Sequence, residues 1–145
     1  MSESDAHAAL IWATLGVIQR RFDGTALAIR ADVPQTGEFA ATFAIGGFRP
    51  DVYVKLTSHG IVVIGEAKTA RDIDNLHTRT QFKEFLEHLC TVPDGTLWVS
   101  VPLQRGGEAL RVLRGVRREA KAEKVKLVVS GWLIGKQSIE RRWHA

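Results

Sequence analysis

A hairpin pattern in the middle of the chain constrains the fold more than any other feature of the sequence. From Asp51 to Leu56 apolar and polar residues alternate, whereas residues 61–65 form a continuous apolar run. Alternation is typical of a strand with one buried face, and an unbroken apolar run is typical of a strand covered on both faces. Ser58-His59-Gly60 leaves room only for a tight turn between the two segments. The sequence therefore predicts a β-hairpin within a sheet that helices cover.

Helical and strand patterns surround this hairpin. Apolar residues recur at helical spacing in three segments, and they alternate or cluster as in strands in four others. The helical segments are 5–22, 74–90 and 103–123, and the strand segments are 27–33, 39–45, 96–101 and 126–134. The chain has no internal repeat or linker, so we expect a single domain over residues 1–145. Its predicted class is α/β, a mixed β-sheet flanked by helices, with the tail at 135–145 left unassigned.

Composition excludes several classes of protein. Of the 145 residues, 45% are hydrophobic and 25% are charged, which excludes collagen-like, low-complexity and disordered chains. Cys90 is the only cysteine, so no internal disulfide can form, and we expect a reducing compartment. No window approaches the ~18 apolar residues of a membrane span, and the first residues are acidic where a signal peptide is basic. We therefore expect a cytoplasmic protein without a membrane partner.

The hairpin register places two acidic residues together. A tight turn that pairs Leu56 with Ile61 puts Asp51 opposite Glu66 on the same sheet face, with Lys68 two residues further along that face. A three-residue loop or a bulge at Gly60 is the alternative, and it would shift this register by one residue. Opposed like charges are destabilising unless something neutralises them. A divalent cation does so directly, and an ion pair with Lys68 is the alternative. The spacing favours the metal site, and both interpretations stay open.

The same residues resemble a known family. Arg49-Pro50-Asp51, followed after fourteen residues by Glu66-Ala67-Lys68, is similar to the PD-(D/E)XK nuclease superfamily. The resemblance implies a restriction-endonuclease-like core of order α-β-β-β-α-β, here with an extra C-terminal helix and strand. It also implies that Asp51, Glu66 and the backbone carbonyl of Ala67 bind Mg²⁺, with Mn²⁺ as a substitute. Lys68 would orient or activate the attacking water.

The second helix supplies a further candidate. Members of this superfamily often place a polar residue on the helix after the motif, and Gln81 is the matching position. The stretch resembles the Gln-x-x-x-Tyr motif of recombination-type exonucleases, with Phe85 where their Tyr stands. His77 and His88 fall close to Gln81 on a helical wheel, and a solvated helix flank is the alternative role for all three. Gln81 is therefore predicted to support catalysis.

The helix starts carry capping candidates. Glu3 and Asp5 are the acidic residues at the start of the first helix, where capping is the favoured role over metal binding. This leaves two firm carboxylates in the predicted site. Ser2 or Ser4 is expected to cap the first helix, and Asp72 or Asp74 the second.

Basic residues suggest a phosphate-binding surface. The chain has 20 Lys and Arg against 16 Asp and Glu, a net charge of +4, which is compatible with a polyanionic partner. One group forms a stripe on the third helix and another lies near the proposed site; a solvated face is the alternative for the stripe. The predicted nucleic-acid-binding residues are Arg49, Arg71, Arg79, Arg111, Arg114 and Arg118.

The tryptophans divide by position. Trp12, Trp98 and Trp132 lie in regular elements and are predicted to be core residues. Trp143 lies in the unassigned tail, where a base-stacking or oligomer contact is the expectation.

The predicted function is a Mg²⁺-dependent DNA phosphodiesterase, an endonuclease that is structure-directed or nonspecific. The resemblance also allows a resolvase-like homodimer and a targeting protein partner. Two alternatives stay open. One is a catalytically inactive member of the fold that binds nucleic acid or protein, which predicts DNA binding insensitive to a chelator. The other is a plain protein-interaction domain, which predicts neither metal binding nor salt-dependent DNA affinity.

Overall fold

The computed structural model describes residues 2–23, 27–33, 37–56 and 59–145, and within these residues six strands form one sheet with helices on both faces. In chain order the elements are α1 (Glu3–Arg21), β1 (Leu27–Ala31), β2 (Val52–Leu56), β3 (Ile61–Ala67), α2 (Leu76–Leu89), β4 (Asp94–Pro102), α3 (Gly106–Glu119), β5 (Lys126–Leu133) and β6 (Ile139–His144). Short 3₁₀ turns at Ala70–Asp72 and Leu103–Arg105 lead towards α2 and α3.

The sheet is mixed, as the sequence predicts. The strands lie in the order β1-β2-β3-β4-β5-β6. β1, β2 and β3 pair antiparallel, β4 and β5 continue the sheet in parallel, and β6 returns antiparallel to β5. The α/β class and the element order α-β-β-β-α-β are confirmed, followed by one helix and two strands. Each parallel step is bridged by a helix, α2 between β3 and β4 and α3 between β4 and β5.

The helices cover opposite faces of the sheet. α1 packs its buried stripe, which includes Leu15 and Ile18, on one face. α2 and α3 pack on the other face, where Phe85 and Leu113 are fully buried. β3 is therefore covered on both sides, which explains its unbroken apolar run. Among the described helices, none combines the length and the apolar character needed to cross a membrane.

Both long helices near the site begin at side-chain caps. Ser2 caps α1 in a capping box with Asp5, which confirms one of the two expected caps. α2 begins at Asn75, whose side chain accepts from the backbone N–H of Thr78 at 2.8 Å. The expectation that Asp72 or Asp74 caps this helix is wrong, because the 3₁₀ turn at Ala70–Asp72 delays the helix start.

The strand expected at 39–45 does not form. Ala40 and Ile45 make only isolated bridges, and Gly46 and Gly47 turn the chain through positive φ angles. The apolar residues instead pack as a loop, with the ring of Phe43 4.8 Å from that of Tyr53. The alternation therefore reflects loop packing rather than a strand ladder. The predicted turn at Ser58-His59-Gly60 lies partly outside the described residues, and Gly60 has a φ of +63°.

The tail forms a strand, and this changes the assignment of one tryptophan. Trp143 lies on β6 and packs against the start of α3, so closely that a Cβ on Gly106 would lie 2.1 Å from its ring. The expected base-stacking or oligomer contact is replaced by packing within the chain. Trp98 and Trp132 are buried as predicted, whereas Trp12 is 39% exposed and is not a core residue.

Candidate active site

The β2–β3 register brings two carboxylates together at one end of the hairpin. β2 and β3 pair from Leu56 with Ile61 to Val52 with Gly65, so Asp51 and Glu66 are the next opposed residues. Both residues are buried: Asp51 is 8% exposed and Glu66 is 2% exposed. The register expected from the sequence is confirmed, and the two acids share a site from which water is largely excluded.

Backbone and side-chain groups hold Asp51 in place. Its Oδ2 accepts a hydrogen bond from the backbone N–H of Ala67 at 2.8 Å and lies 3.5 Å from Nε2 of His7. Burial works to raise the pKa of Asp51, but hydrogen bonds from Glu66, His7 and Ala67 outweigh burial and lower the pKa below its usual value. Asp51 is therefore the ionised member of the pair.

Glu66 is the member of the pair that keeps its proton to the higher pH. Burial raises its pKa well above the usual value, and the neighbouring charge of Asp51 raises it further, while Lys68 only partly opposes this. Oε2 of Glu66 is a buried side-chain oxygen with no hydrogen-bond partner within the described part of the chain. Since buried polar atoms are normally paired, this oxygen is available to a ligand that the protein alone does not supply.

Lys68 and Gln81 meet beside the carboxylates. Lys68 follows directly after β3, and its Nζ donates to Oε1 of Gln81 on α2 at 2.5 Å. The ammonium also lies 6.0 Å from the ring centre of Phe82. Gln81 is buried to 7% exposure, so the contact fixes the lysine head group rather than leaving it in solvent. The structure thus brings together all four residues predicted to be catalytic.

His7 also lies in the site, although it is not among the residues predicted from the sequence. Its Nε2 lies 3.1 Å from the backbone carbonyl oxygen of Ala67, which suits a donated hydrogen bond. The hydrogen bond to Asp51 raises the pKa of His7 above 6.5, against the opposing effect of burial. The sequence does contain a pattern that indicates this position. His7 precedes Leu10 by three residues and Ile11 by four, and this helical spacing places it on the buried stripe of α1.

Oxygen donors in the site suit a hard divalent cation. Asp51 and Glu66 supply carboxylates and Ala67 a backbone carbonyl, and Mg²⁺ prefers such ligands while keeping waters or phosphate oxygens in its remaining positions. The unpartnered Oε2 of Glu66 fits this use. No group of three or more His, Cys, Asp or Glu side chains arranged for a metal occurs among the described residues, so such a cation would depend on backbone and external oxygens.

The other histidines of α2 lie away from this cluster. His77 packs edge-on against Phe48, with 5.4 Å between ring centres. Nε2 of His88 lies 3.0 Å from the hydroxyl of Tyr53, and burial lowers the pKa of His88. Both therefore serve packing of the 39–48 loop and β2 against α2, and Gln81 alone of the three joins the site.

The predicted phosphate-binding arginines fall into two groups. Near the site, Arg71 pairs with Glu3 at 3.2 Å, and Arg79 pairs with Asp74 at 2.5 Å. Arg49 donates to the backbone oxygen of Thr42 at 2.9 Å. The second group lies exposed on α3 and forms no ion pair within the residues the structure describes; it consists of Arg111, Arg114 and Arg118.

The two groups are connected by a groove between α2 and α3. Arg79 of α2 and Arg111 of α3 line this groove together with Asp74 and Glu119. The basic residues of α3 therefore lie on the same sheet face as α2, which carries Gln81.

Comparisons with known proteins do not assign this chain to a family. No protein-family model matches the chain, and no curated protein matches it significantly. One similar solved structure is SfsA of Pyrococcus furiosus, described as a complex with Ca²⁺, at 15% identity and a TM-score of 0.47. The match covers 95% of this chain and 61% of the SfsA chain, so the protein spans less than two thirds of that relative.

Proposed function

We propose that this protein is a Mg²⁺-dependent phosphodiesterase that cuts DNA. One observation carries the proposal: Asp51 and Glu66 share a buried site in which Oε2 of Glu66 has no hydrogen-bond partner among the described residues. A fold loses stability by burying two neighbouring acids without compensation. A cation held between them supplies that compensation, and the PD-(D/E)XK resemblance of the same residues supports the choice of chemistry.

We assign a separate role to each residue of the site. Asp51, Glu66 and the carbonyl of Ala67 would hold the metal. When bound, Mg²⁺ lowers the pKa of a coordinated water and polarises a phosphoryl oxygen. Lys68 places a positive charge next to the reacting phosphate and offsets the negative charge that develops there. Gln81 holds the Lys68 ammonium in position through its Oε1, and His7 holds the Asp51 carboxylate and the Ala67 carbonyl.

Basic residues support a DNA substrate. The exposed arginines of α3 and the groove beside Arg79 offer contacts to a phosphate backbone. Such contacts position a nucleic acid without reading its sequence. We therefore propose an endonuclease activity that is structure-directed or nonspecific. A resolvase-like homodimer is one assembly that would carry out this activity, and sedimentation of the protein with branched DNA would detect it.

The first experiment measures cation binding without DNA. Calorimetric titration with Ca²⁺ or Mn²⁺ compares the wild type with Glu66→Gln, which keeps the shape of the side chain and removes its charge. Glu87→Gln is the matched control, because Glu87 lies exposed on α2. We expect binding to the wild type and to Glu87→Gln and none to Glu66→Gln.

The second experiment measures cleavage. Supercoiled, linear, single-stranded and branched DNA are incubated with each protein and Mg²⁺ or Mn²⁺, with a chelator as the negative control. Cleavage by the wild type and Glu87→Gln alone supports the proposal. DNA binding that is unaffected by the chelator, without cleavage, contradicts it and supports an inactive binding module. Absence of both metal binding and DNA binding supports a protein-interaction domain instead.

A further inference from the structure

A second cavity opens next to the candidate site. It has a volume of about 470 Å³ and lies between the first half of α1 and the ends of β4 and β5. Ala6 and Ala9 of α1 form one wall, and Pro102, Trp132 and Ile134 form the other. The size is within the range of cavities that take small organic groups, about 300–1,000 Å³. None of these wall residues has a part in the phosphodiesterase chemistry proposed above.

The cavity shares its rim with the groove beside the candidate site. Glu3 and Thr69 line both this cavity and the groove that contains His7, Ala67 and Lys68. The Thr69 hydroxyl donates to Glu3 Oε1 at 3.0 Å, so the two residues form a shared rim. Arg71 stands on the same rim, with its side chain 79% exposed. A group bound in the cavity therefore lies beside the groove that three residues of the site line, namely His7, Ala67 and Lys68.

The walls suit a flat, largely apolar group with polar edges. The indole of Trp132 is fixed because its Nε1 donates to the Ser100 hydroxyl at 3.2 Å, so the ring needs no ordering on binding. Small side chains at Ala6 and Ala9 leave the space beside it open. Hydroxyl and charged groups stand only at the rim. Nucleobases have this character, since each has an apolar face that can pack on an apolar wall and a polar edge that forms hydrogen bonds.

We propose that this cavity binds one unstacked nucleobase of the strand whose phosphate lies at Asp51 and Glu66. The inference rests on the proposed function and deepens it. A base can enter the cavity only when it leaves its stack, and this costs least where the DNA is single-stranded, frayed or mismatched. The substrate class is therefore DNA with unpaired nucleotides next to the cleaved bond, rather than continuous duplex.

The test uses three probes that separate base from phosphate. Thymidine, thymidine 5′-monophosphate and inorganic phosphate are titrated into the full chain, with and without Ca²⁺, and followed by ¹H–¹⁵N NMR. We expect thymidine and its monophosphate to shift the Trp132 indole N–H and the Ile134 amide, and inorganic phosphate to leave both unchanged. Shifts confined to the Lys68 and Gln81 region with all three probes would overturn the proposal.

Two neighbouring apolar residues provide a matched pair of variants. Ile134 is 38% exposed and lines the cavity, whereas Leu133 is 51% exposed and pairs with Ile139 outside it. Ile134→Asn should weaken thymidine 5′-monophosphate binding about tenfold, as expected for a lost contact to one base. Leu133→Asn should leave the affinity unchanged within a factor of about two. Equal weakening by both variants, or by neither, would contradict the base subsite.

The outcome is separable from that of the proposed function. Thymidine binding in the cavity does not depend on a metal, whereas Ca²⁺ binding depends on Glu66. If the wild type binds Ca²⁺, Glu66→Gln does not, and thymidine fails to bind, the phosphodiesterase proposal is retained and the base subsite is overturned. In the active protein, Ile134→Asn should reduce cleavage of frayed or single-stranded DNA selectively; an equal effect on continuous duplex would also overturn it.

Discussion

The backbone N–H of Ala67 donates to Oδ2 of Asp51 at 2.8 Å, so the end of β3 fixes the carboxylate that precedes β2. Glu66, the neighbouring acid, has one buried oxygen without any partner in the described residues. The two acids therefore affect stability in opposite directions, although both are candidate ligands of one cation. Asp51 stabilises the fold by satisfying a buried donor, whereas ionisation of Glu66 destabilises it.

Asp51→Ala should lower the free energy of unfolding. The substitution leaves the buried N–H of Ala67 without an acceptor, which costs about 1–3 kcal/mol. Urea denaturation without metal measures the change. Asp32→Ala is the control, because Asp32 is exposed and close in sequence to the same strands. Equal stability of Asp51→Ala and the wild type would mean that the hydrogen bond to Ala67 contributes nothing to folding.

Glu66→Gln should stabilise the metal-free protein, and more so as the pH rises. An unfolded glutamate ionises around its usual pKa of 4.5, whereas folded Glu66 keeps its proton to a higher pH. The folded state then binds more protons than the unfolded state, so stability falls as the pH rises above 4.5 until Glu66 itself ionises. Glutamine lacks this dependence.

Denaturation at about pH 5 and about pH 8 tests the sign of this effect. The stability difference between Glu66→Gln and the wild type should be larger at the higher pH. Glu87→Gln, with its exposed carboxyl group, should follow the wild type at both. A difference that shrinks with rising pH would show that Glu66 is ionised and stabilised, as in a structural ion pair with Lys68.

Local sequence patterns predict the part of the site that lies on neighbouring strands. The period-two alternation of Asp51–Leu56 and the short connection before Ile61 together favour the register that the structure has, and that register determines which residues face each other. Gln81 could be identified because its helix follows the motif and has a clear core stripe. These features depend only on residues close in sequence, or on one pairing of adjacent strands.

Other features depend on packing between distant segments, which local patterns do not encode. His7 reaches the site because α1 crosses the ends of β2 and β3, and this docking follows from the whole core. The alternation at 39–45 misleads because Phe43 and Ile45 pack as loop residues. β6 carries mostly polar residues, and it is held in place by pairing with β5 and by the fit of Trp143 against Gly106.

His7 should titrate above 6.5, and Asp51→Asn should bring its pKa down. The hydrogen bond to Asp51 is the largest cause of the raised pKa, so loss of the carboxylate charge removes most of the shift. NMR titration of the carbon-bound protons of the imidazole measures the pKa of His7 in the wild type and in Asp51→Asn. Stability from the protonated His7 is fully present below pH 6.5 and is lost as the pH rises through the folded pKa. Asp32→Asn should leave the titration unchanged.

Lys68→Met should remove activity while retaining the cation site. Methionine keeps an apolar stem beside Phe82 and removes the charge near the reacting phosphate, so kcat should fall by about 100-fold or more. Ca²⁺ affinity should stay constant or rise, because a positive charge next to the ligands is gone. Gln81→Ala should cost less, since Lys68 keeps its charge and loses only its acceptor. Lys83→Met, on the exposed side of α2, is the control; loss of Ca²⁺ binding in Lys68→Met would contradict the assigned role.

Arg114→Gln combined with Arg118→Gln should weaken DNA binding and its salt dependence. Both arginines are exposed and free of ion pairs in the described chain, so they can bind phosphates without first breaking a contact. Each lost phosphate contact should reduce the slope of log affinity against log salt by about 0.9 on duplex DNA. Arg20→Gln with Arg21→Gln removes the same charge from the end of α1, on the opposite face of the sheet.

Affinities measured over a range of salt concentrations distinguish a defined surface from overall charge. A smaller slope for the α3 double variant, with the α1 double variant close to the wild type, assigns phosphate contacts to the arginines of α3. An equal reduction in both variants would mean that net charge alone attracts the DNA. Arg71 and Arg79 should contribute less than the α3 arginines, because a phosphate must displace Glu3 or Asp74 before it can bind them.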